Sequence, residues 1–272
     1  MKRFELVAIA ILSLTLPSCI KEDRSTCPCY LHLDLSRLDR DYIHSLDLMF
    51  DQERSGAWWK PVEQSYFGDT LILPVNKSEF DFCAWGNLVP EAVDNILRTI
   101  SPFAPEDTLW SYSRRIETRC EDVYLTVLPQ RQHIPVTIIV RGQTEGVSDI
   151  RPVLNNVSRE FDIYGSAAGP LGQLIPERVI SPSVPEGHYI FHTMLYTQQS
   201  ATQAELELSF NRAGEDVKAR YPIGEMLQQI GEDISLRDQR PIIIELVLGN
   251  GSVFMTISIA DWKRHSVIEI TY

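Results

Sequence analysis

The sequence lacks every short catalytic signature that can be read from spacing alone. It has no Gly-rich phosphate loop, no Gly-x-Ser-x-Gly turn and no His-Glu-x-x-His pair, and no nucleophile, base or metal set stands out, so it does not read as an enzyme. It is short of cationic charge, with 25 Lys and Arg against 37 Asp and Glu and a net charge of −12. A surface of that sign repels phosphate backbones and anionic headgroups, which excludes a nucleic-acid partner and leaves membrane attachment to a lipid rather than to charge. Cysteine is scarce, with five in all and none after Cys120. Long apolar runs are absent except for Leu6 to Leu16, which is about half of the roughly 20 residues that a spanning helix requires.

That single run belongs to a secretory signal. Lys2 and Arg3 supply the positive start, with Glu5 the one opposing charge, and the run ends in Leu16-Pro17-Ser18-Cys19. Leucine at −3, a small residue at −1 and cysteine at +1 match a lipobox; Pro17 departs from the usual Ala or Ser. Residues 1–18 are read as a lipoprotein signal peptide and Cys19 as the lipidated first residue of the mature chain. Several acyl chains on one terminus give lasting attachment, which a single chain does not. Residues 19–28, including Lys21, Glu22, Asp23 and Arg24, then form a charged tether. Removing the signal, which carries +1, leaves 254 residues at −13.

Four cysteines remain: Cys27, Cys29, Cys83 and Cys120. An even number in an exported chain favours disulfides, and all four lie in the first half of the mature protein. Cys27 and Cys29 flank Pro28 and project to one side of an extended segment. Each is therefore expected to reach a different partner, Cys83 or Cys120, with the pairing open. The alternative, a four-cysteine zinc site, lacks a second close pair; no metal and no cofactor is expected.

Beyond the tether, short runs of β character recur between turn-rich pieces. Tyr30 to Leu35 alternates apolar and polar residues, and Glu79 to Trp85 places Phe80, Phe82 and Ala84 on one face with Cys83 and Trp85 on the other. Ser45 to Phe50, Thr70 to Val75 and Val123 to Leu128 are further strands. Val93, Ile96, Leu97 and Ile100 have helical spacing, so Pro90 to Ile100 is predicted as a helix, and Ser101 to Thr118 as a long loop. Pro129 divides the chain into a first half, 29–129, and a second, 130–272. In the second, strands are predicted at Ile134 to Val140, Leu154 to Tyr164, His188 to Tyr196, Ala204 to Phe210, Ile242 to Leu248, Ser252 to Ile259 and His265 to Tyr272. A short helix is expected at Ile223 to Ile230, and a hairpin turn at Gly249-Asn250-Gly251. The fold class is all-β with short helices, one antiparallel sandwich per half.

Few side chains suggest chemistry. His188 and His192 sit four apart in a strand, about 13 Å, too far to share a metal. Asp34, Asp39, Asp41 and Asp47 lack the calcium-loop pattern. Trp58-Trp59 offers either a sugar-stacking patch or a pair straddling a sheet. Asp69-Thr70-Leu71 and Asp107-Thr108-Leu109 match a permissive O-glycosylation tripeptide.

The stretch Ser18-Cys19-Ile20-Lys21-Glu22-Asp23-Arg24-Ser25-Thr26-Cys27-Pro28-Cys29, followed by Leu31-His32-Leu33-Asp34, resembles the FimB-like fimbrial anchor lipoproteins of Bacteroides and Porphyromonas relatives. Cys120 before Val123-Tyr124-Leu125-Thr126-Val127, and Val136 to Val140 at the entrance to the second half, are similar too. The resemblance implies two tandem transthyretin-like antiparallel β-sandwich domains. It implies a cell outer-membrane lipoprotein, surface-exposed, with Glu22 and Asp23 as a loose export signal. The implied role is to hold the base of a fimbria and limit its length, by strand exchange with major or accessory fimbrial subunits. On that reading Val267, Ile268, Ile270 and Tyr272 belong to a donated strand or to the last strand of their own sheet. The alternative role is a surface glycan-binding lipoprotein, with Trp58, Trp59, Trp85 and Trp110 as platforms.

Overall fold

The computed structural model describes residues 27–52, 56–89, 93–94, 98–101, 108–196, 203–229, 241–259 and 265–271. Alternation dominates these segments, and they fold accordingly. Among the described residues there are twenty strands, one 3-10 turn and one α-helix, and no helix is long and apolar enough to cross a membrane. The lipobox, Cys19 and the tether lie outside the described residues.

The first sandwich packs a three-stranded sheet on a five-stranded one. Strand β1 (Cys29–Asp34) is central in the smaller sheet, antiparallel to β4 (Thr70–Val75) and parallel to β9 (Asp122–Thr126). Its odd positions, Cys29, Leu31 and Leu33, point inward and are fully buried, while Tyr30 and His32 face out. The larger sheet runs, in spatial order, β10 (Gln130–Arg131), β8 (Trp110–Glu117), β5 (Glu79–Gly86), β2 (Leu46–Gln52) and β3 (Gly56–Val62). Leu46, Leu48, Phe50, Phe80, Phe82 and Ala84 fill the space between the sheets.

The second sandwich has the same plan on a larger scale. One sheet is ordered β14 (Glu177–Val179), β15 (Tyr189–Tyr196), β11 (His133–Gly142), β18 (Ile242–Leu248), β19 (Ser252–Ile259) and β20 (His265–Thr271). The facing sheet is ordered β17 (Glu215–Tyr221), β16 (Glu205–Arg212), β12 (Val147–Asp162), β7 (Thr99–Ile100) and β6 (Val93–Asp94), with β13 (Ala167–Leu174) also paired to β12. The helix α1 (Ile223–Gln229) follows Pro222 and buries Ile223, Met226 and Leu227 in this core. Gly249 N–H donates to the Ser252 carbonyl at 2.8 Å, closing the expected hairpin between β18 and β19. Gly142 ends β11 at φ +99°, where a Cβ would lie 2.6 Å from the Leu248 carbonyl, so only glycine fits.

Two expectations from the sequence are corrected. The span predicted as a helix, Pro90 to Ile100, contributes instead the antiparallel pair β6 and β7, which extends the sheet of the second half through Ile100 opposite Phe161. Val93, Thr99 and Ile100 in these strands are β-branched, and Arg98 takes a left-handed φ of 57°, which breaks helical continuity. The span read as a loop, Ser101 to Thr118, contains β8, an eight-residue strand held between β5 and β10.

A third apolar cluster lies between the sandwiches. Met49, Cys83, Trp85 and Leu109 from the first meet Ile100, Phe161, Ile163 and Tyr196 from the second. The indole N–H of Trp85 donates to the Ile163 carbonyl at 2.8 Å, so this large side chain is buried with its polar atom satisfied. Beside it, the buried Asp51 carboxylate pairs with Arg98 and accepts the Tyr164 hydroxyl at 2.6 Å.

Candidate partner-binding surfaces

The tryptophan pair straddles its sheet. In the β2–β3 hairpin Phe50 registers with Trp58 and Met49 with Trp59. Trp58 therefore lies on the core side of the first sandwich, at the edge strand. Its ring stacks on Phe50 with centroids 4.1 Å apart and planes 9° from parallel, yet 43% of the residue stays exposed. A cleft of about 250 Å³ opens beside it, lined by Phe50, Trp58, Pro74, Val75, Asn76 and Phe80. Trp59 turns the other way and packs against the cluster between the sandwiches. Trp85 is fully buried, so it offers no sugar platform. Trp110 is half-buried, edge-on to His133.

A second exposed surface went unnoticed in the sequence. The outer face of the small sheet sets Tyr30, His32 and Asp34 between Pro74, Ile72 and Thr70 on one side and Asp122, Tyr124 and Thr126 on the other. His32 stacks on Tyr124 at 4.4 Å and shares a 2.8 Å hydrogen bond with Asp122. Hydrogen bonds from Ser36 hold the Asp34 carboxyl below its usual range. The alternation in β1 foretold an outward face, but only the register with β9 brings the rings together.

The cysteines divide into two groups. Cys83 is buried in the cluster between the sandwiches, which contains no second cysteine. Cys29 is buried at the start of β1, and Cys120 precedes the neighbouring strand β9; the Tyr30 N–H donates to the Glu121 carbonyl at 2.7 Å. Burial pushes the Cys29 thiol up, and the nearby Asp122 and Cys120 push the same way. Cys27 and Cys120 are exposed. All four are thiols in this structure.

The terminal segment containing Val267, Ile268 and Ile270 is β20, the edge strand beside β19. Val267 registers with Thr256, Ile268 with the buried Met255, and Ile270 with the buried Val253. Tyr272 lies outside the described residues. Thr70 is exposed at the start of β4, whereas the Thr108 hydroxyl accepts from the Asn87 amide at 3.2 Å. Among the described residues no three His, Cys, Asp or Glu side chains converge as a metal site would require.

At the opposite edge of that sheet a cleft of about 510 Å³ is lined by Pro135, Val136, Glu177, Arg178, Val179, His192, Thr193 and Met194. The Thr193 hydroxyl lies buried beneath this edge, with no hydrogen-bond partner among the described residues, an arrangement that costs roughly 1–3 kcal/mol. Nothing in the sequence marks Thr193, because the cleft depends on where β14 stops.

These features define an all-β double sandwich with open sheet edges and clefts. No family model matches the chain, and no curated protein matches it. Solved structures do. The fimbrial anchor protein Mfa2 from Porphyromonas gingivalis aligns with a TM-score of 0.61 at 12% identity, over 87% of this chain and 98% of that one. A candidate adhesin from Bacteroides ovatus aligns at 0.61 and 11% identity, over 92% and 97%. A candidate polysaccharide-binding protein from Bacteroides thetaiotaomicron aligns at 0.58 and 12% identity, over 90% and 98%. The likeness to the fimbrial anchor, expected from the N-terminal residues, is thus present in the fold.

Proposed function

We propose that this chain is a fimbrial lipoprotein of the outer membrane, held there by acyl chains on Cys19 and anchoring the base of a fimbria through strand exchange with its subunits. The observation that carries this reading is a double sandwich that spans 98% of the fimbrial anchor Mfa2. The lipobox supports the membrane attachment, and a structure built of open sheet edges supports a role in assembly. Residues 29–129 and 130–272 are taken as the two domains, with β6 and β7 lent to the second sandwich and β10 to the first. Limitation of fimbrial length would follow from capping one end of the polymer. In the test, Cys19→Ala is expected to leave a folded protein that incorporates no palmitate, with fimbriae shed into the medium. Fimbriae that remain cell-bound would overturn the anchor role.

Disulfides belong to the same proposal, since the exported chain meets an oxidising compartment. The placement of Cys29 beside Cys120 favours a bridge from the Cys27–Cys29 pair to Cys120, with Cys83 remaining a thiol. Non-reducing peptide mapping is expected to return that linkage, and a peptide linked through Cys83 would refute it.

A second reading, a surface glycan-binding lipoprotein, is favoured by the exposure of Tyr124 (75%) and Trp58 and by the likeness to the candidate polysaccharide-binding protein. Retardation on polysaccharide affinity gels that disappears in Tyr124→Ala or Trp58→Ala would support it.

A further inference from the structure

We infer that the cleft between β3 and β4 in the first sandwich binds a single neutral hexopyranose unit, the terminal ring of a glycan. This assignment depends on the glycan-binding reading and supplies its site and its ligand class.

The first support is a ring held ready. β3 is an edge of the larger sheet and β4 an edge of the smaller one, and the cleft opens where these two edges lie side by side. Trp58 stands at its mouth, stacked on Phe50 at 4.1 Å. Phe50 is itself pinned by Phe80 at 5.7 Å and Phe82 at 5.3 Å between centroids. The indole is therefore fixed before a ligand arrives, while 43% of the residue remains exposed. A pre-positioned aromatic surface loses little freedom on binding and offers apolar contact to the C–H groups of a sugar ring.

The second is size and charge. Trp58, Pro74 and Asn76 are exposed and form the contact surface, with buried Phe50, Val75 and Phe80 behind them. At about 250 Å³ the cleft falls below the roughly 300–1,000 Å³ that encloses a drug-sized ligand, so it has room for one ring and not for a chain. None of the six lining side chains is ionisable. With a net charge of −12 on the whole chain, an acidic sugar or a phosphate finds no cation there and an unfavourable field.

The third is a pair of spare polar groups. The Asn76 carbonyl accepts the Thr118 hydroxyl at 2.8 Å, which ties down the main chain after β4. Among the described residues, neither the Asn76 carboxamide nor the Trp58 indole N–H makes a hydrogen bond. Donors and an acceptor thus stand beside the apolar ring. A hexopyranose is apolar across the C–H groups of one face and polar around its hydroxyl rim, so it meets both. An aliphatic side chain of a partner protein would use the ring alone.

The test uses the mature chain carrying Cys19→Ala, so that lipidation plays no part. The probes are the methyl glycosides of glucose, galactose and mannose, followed by saturation-transfer NMR. At least one is expected to bind with a dissociation constant on the order of millimolar, with the strongest transfer to its ring C–H protons. Trp58→Ala is expected to weaken that binding by roughly tenfold. Asn76→Ala, an exposed change that leaves the circular-dichroism spectrum intact, is expected to weaken it by roughly threefold, and Tyr124→Ala to leave it unchanged. Failure of all three glycosides to bind overturns the assignment, as does equal binding of glucuronate or of N-acetyl-leucinamide. Retardation on polysaccharide gels that Tyr124→Ala abolishes and Trp58→Ala and Asn76→Ala leave intact overturns it too, while the broader glycan-binding reading survives.

Discussion

Asp47 sits on β2 between Trp85 and Pro61, on the sheet face that looks toward the second sandwich. Burial pushes its carboxyl above the usual range, and no cation offsets the cost. The folded state therefore holds this proton more tightly than the unfolded chain does. Stability falls as pH rises from the unfolded value through the raised folded one, and the penalty is complete above both. Asp47→Asn removes the charge without changing the shape. It is expected to raise the melting temperature by roughly 1–3 °C at pH 7, with the gain vanishing near pH 3. Equal gains at both pH values would show that charge burial is not the cause. Asp51, four residues on and on the same face, is the opposite case, since Arg98 and Tyr164 compensate it. There an amide replacement is destabilising, because the buried Asp51 site then gives Arg98 no counter-charge and the Tyr164 hydroxyl a weaker acceptor.

Strand β12 shows what sequence pattern conveys about an element and what it omits. Its sixteen residues were foreseen only from Leu154 onward. The structure extends it back to Val147, with register shifts between Ser148 and Arg151 and between Asn155 and Val157. Asp149 and Asn156 stand at these irregularities with φ of 56° and 58°, so the strand bends enough to pair with β16 at one end and β13 at the other. Asn tolerates left-handed backbone, and a β-branched residue does not. Asn156→Val is expected to cost roughly 1–3 kcal/mol in urea unfolding, and Asn156→Gly close to nothing; equal losses would mean that the Asn side chain matters rather than its φ. Strands with one wet and one buried face, such as β1, β4 and the β18–β19 hairpin, were legible because alternation reports a single interface. β8 was not. Ser113, Arg114 and Arg115 are exposed in succession on both faces, and Ser111, buried on the Trp85 face, is small and polar, so little alternation survives. The β6–β7 pair was misread for a related reason. Val93 and Ile100 serve a sheet that the rest of their half does not belong to, and long-range pairing leaves no local period. The cleft beside β14 and β15 was illegible because it is made where the β14 ladder stops at Glu177.

At the scale of the whole molecule, each sandwich has its own core, and the cluster between them decides whether they act as one body. The aromatic rings of Trp85, Phe161 and Tyr196 form a chain across the boundary, with Phe161 5.8 Å from Trp85 and 5.6 Å from Tyr196, centroid to centroid. On the proposed function this cluster lies in the path of any tension borne by the second sandwich, because the membrane-linked segment precedes β1 in the first. Pulling on Cys29 along β1 loads the ladders to β4 and β9 in shear, so all their hydrogen bonds resist together. Beyond β1 the force must cross the aromatic chain. Phe161→Ala leaves a cavity at the middle of that chain, and such truncations cost about 3–5 kcal/mol. Because the loss falls between the cores rather than within one, its expected signature is uncoupling. Calorimetry of the native protein should show one transition, and Phe161→Ala should split it into two with the summed enthalpy nearly conserved. Trp85→Phe, which mainly removes the hydrogen bond to Ile163, should broaden the transition without splitting it. A single, merely lowered transition in Phe161→Ala would mean that the sandwiches are coupled elsewhere, with the Asp51, Arg98 and Tyr164 cluster as the remaining contact able to carry it.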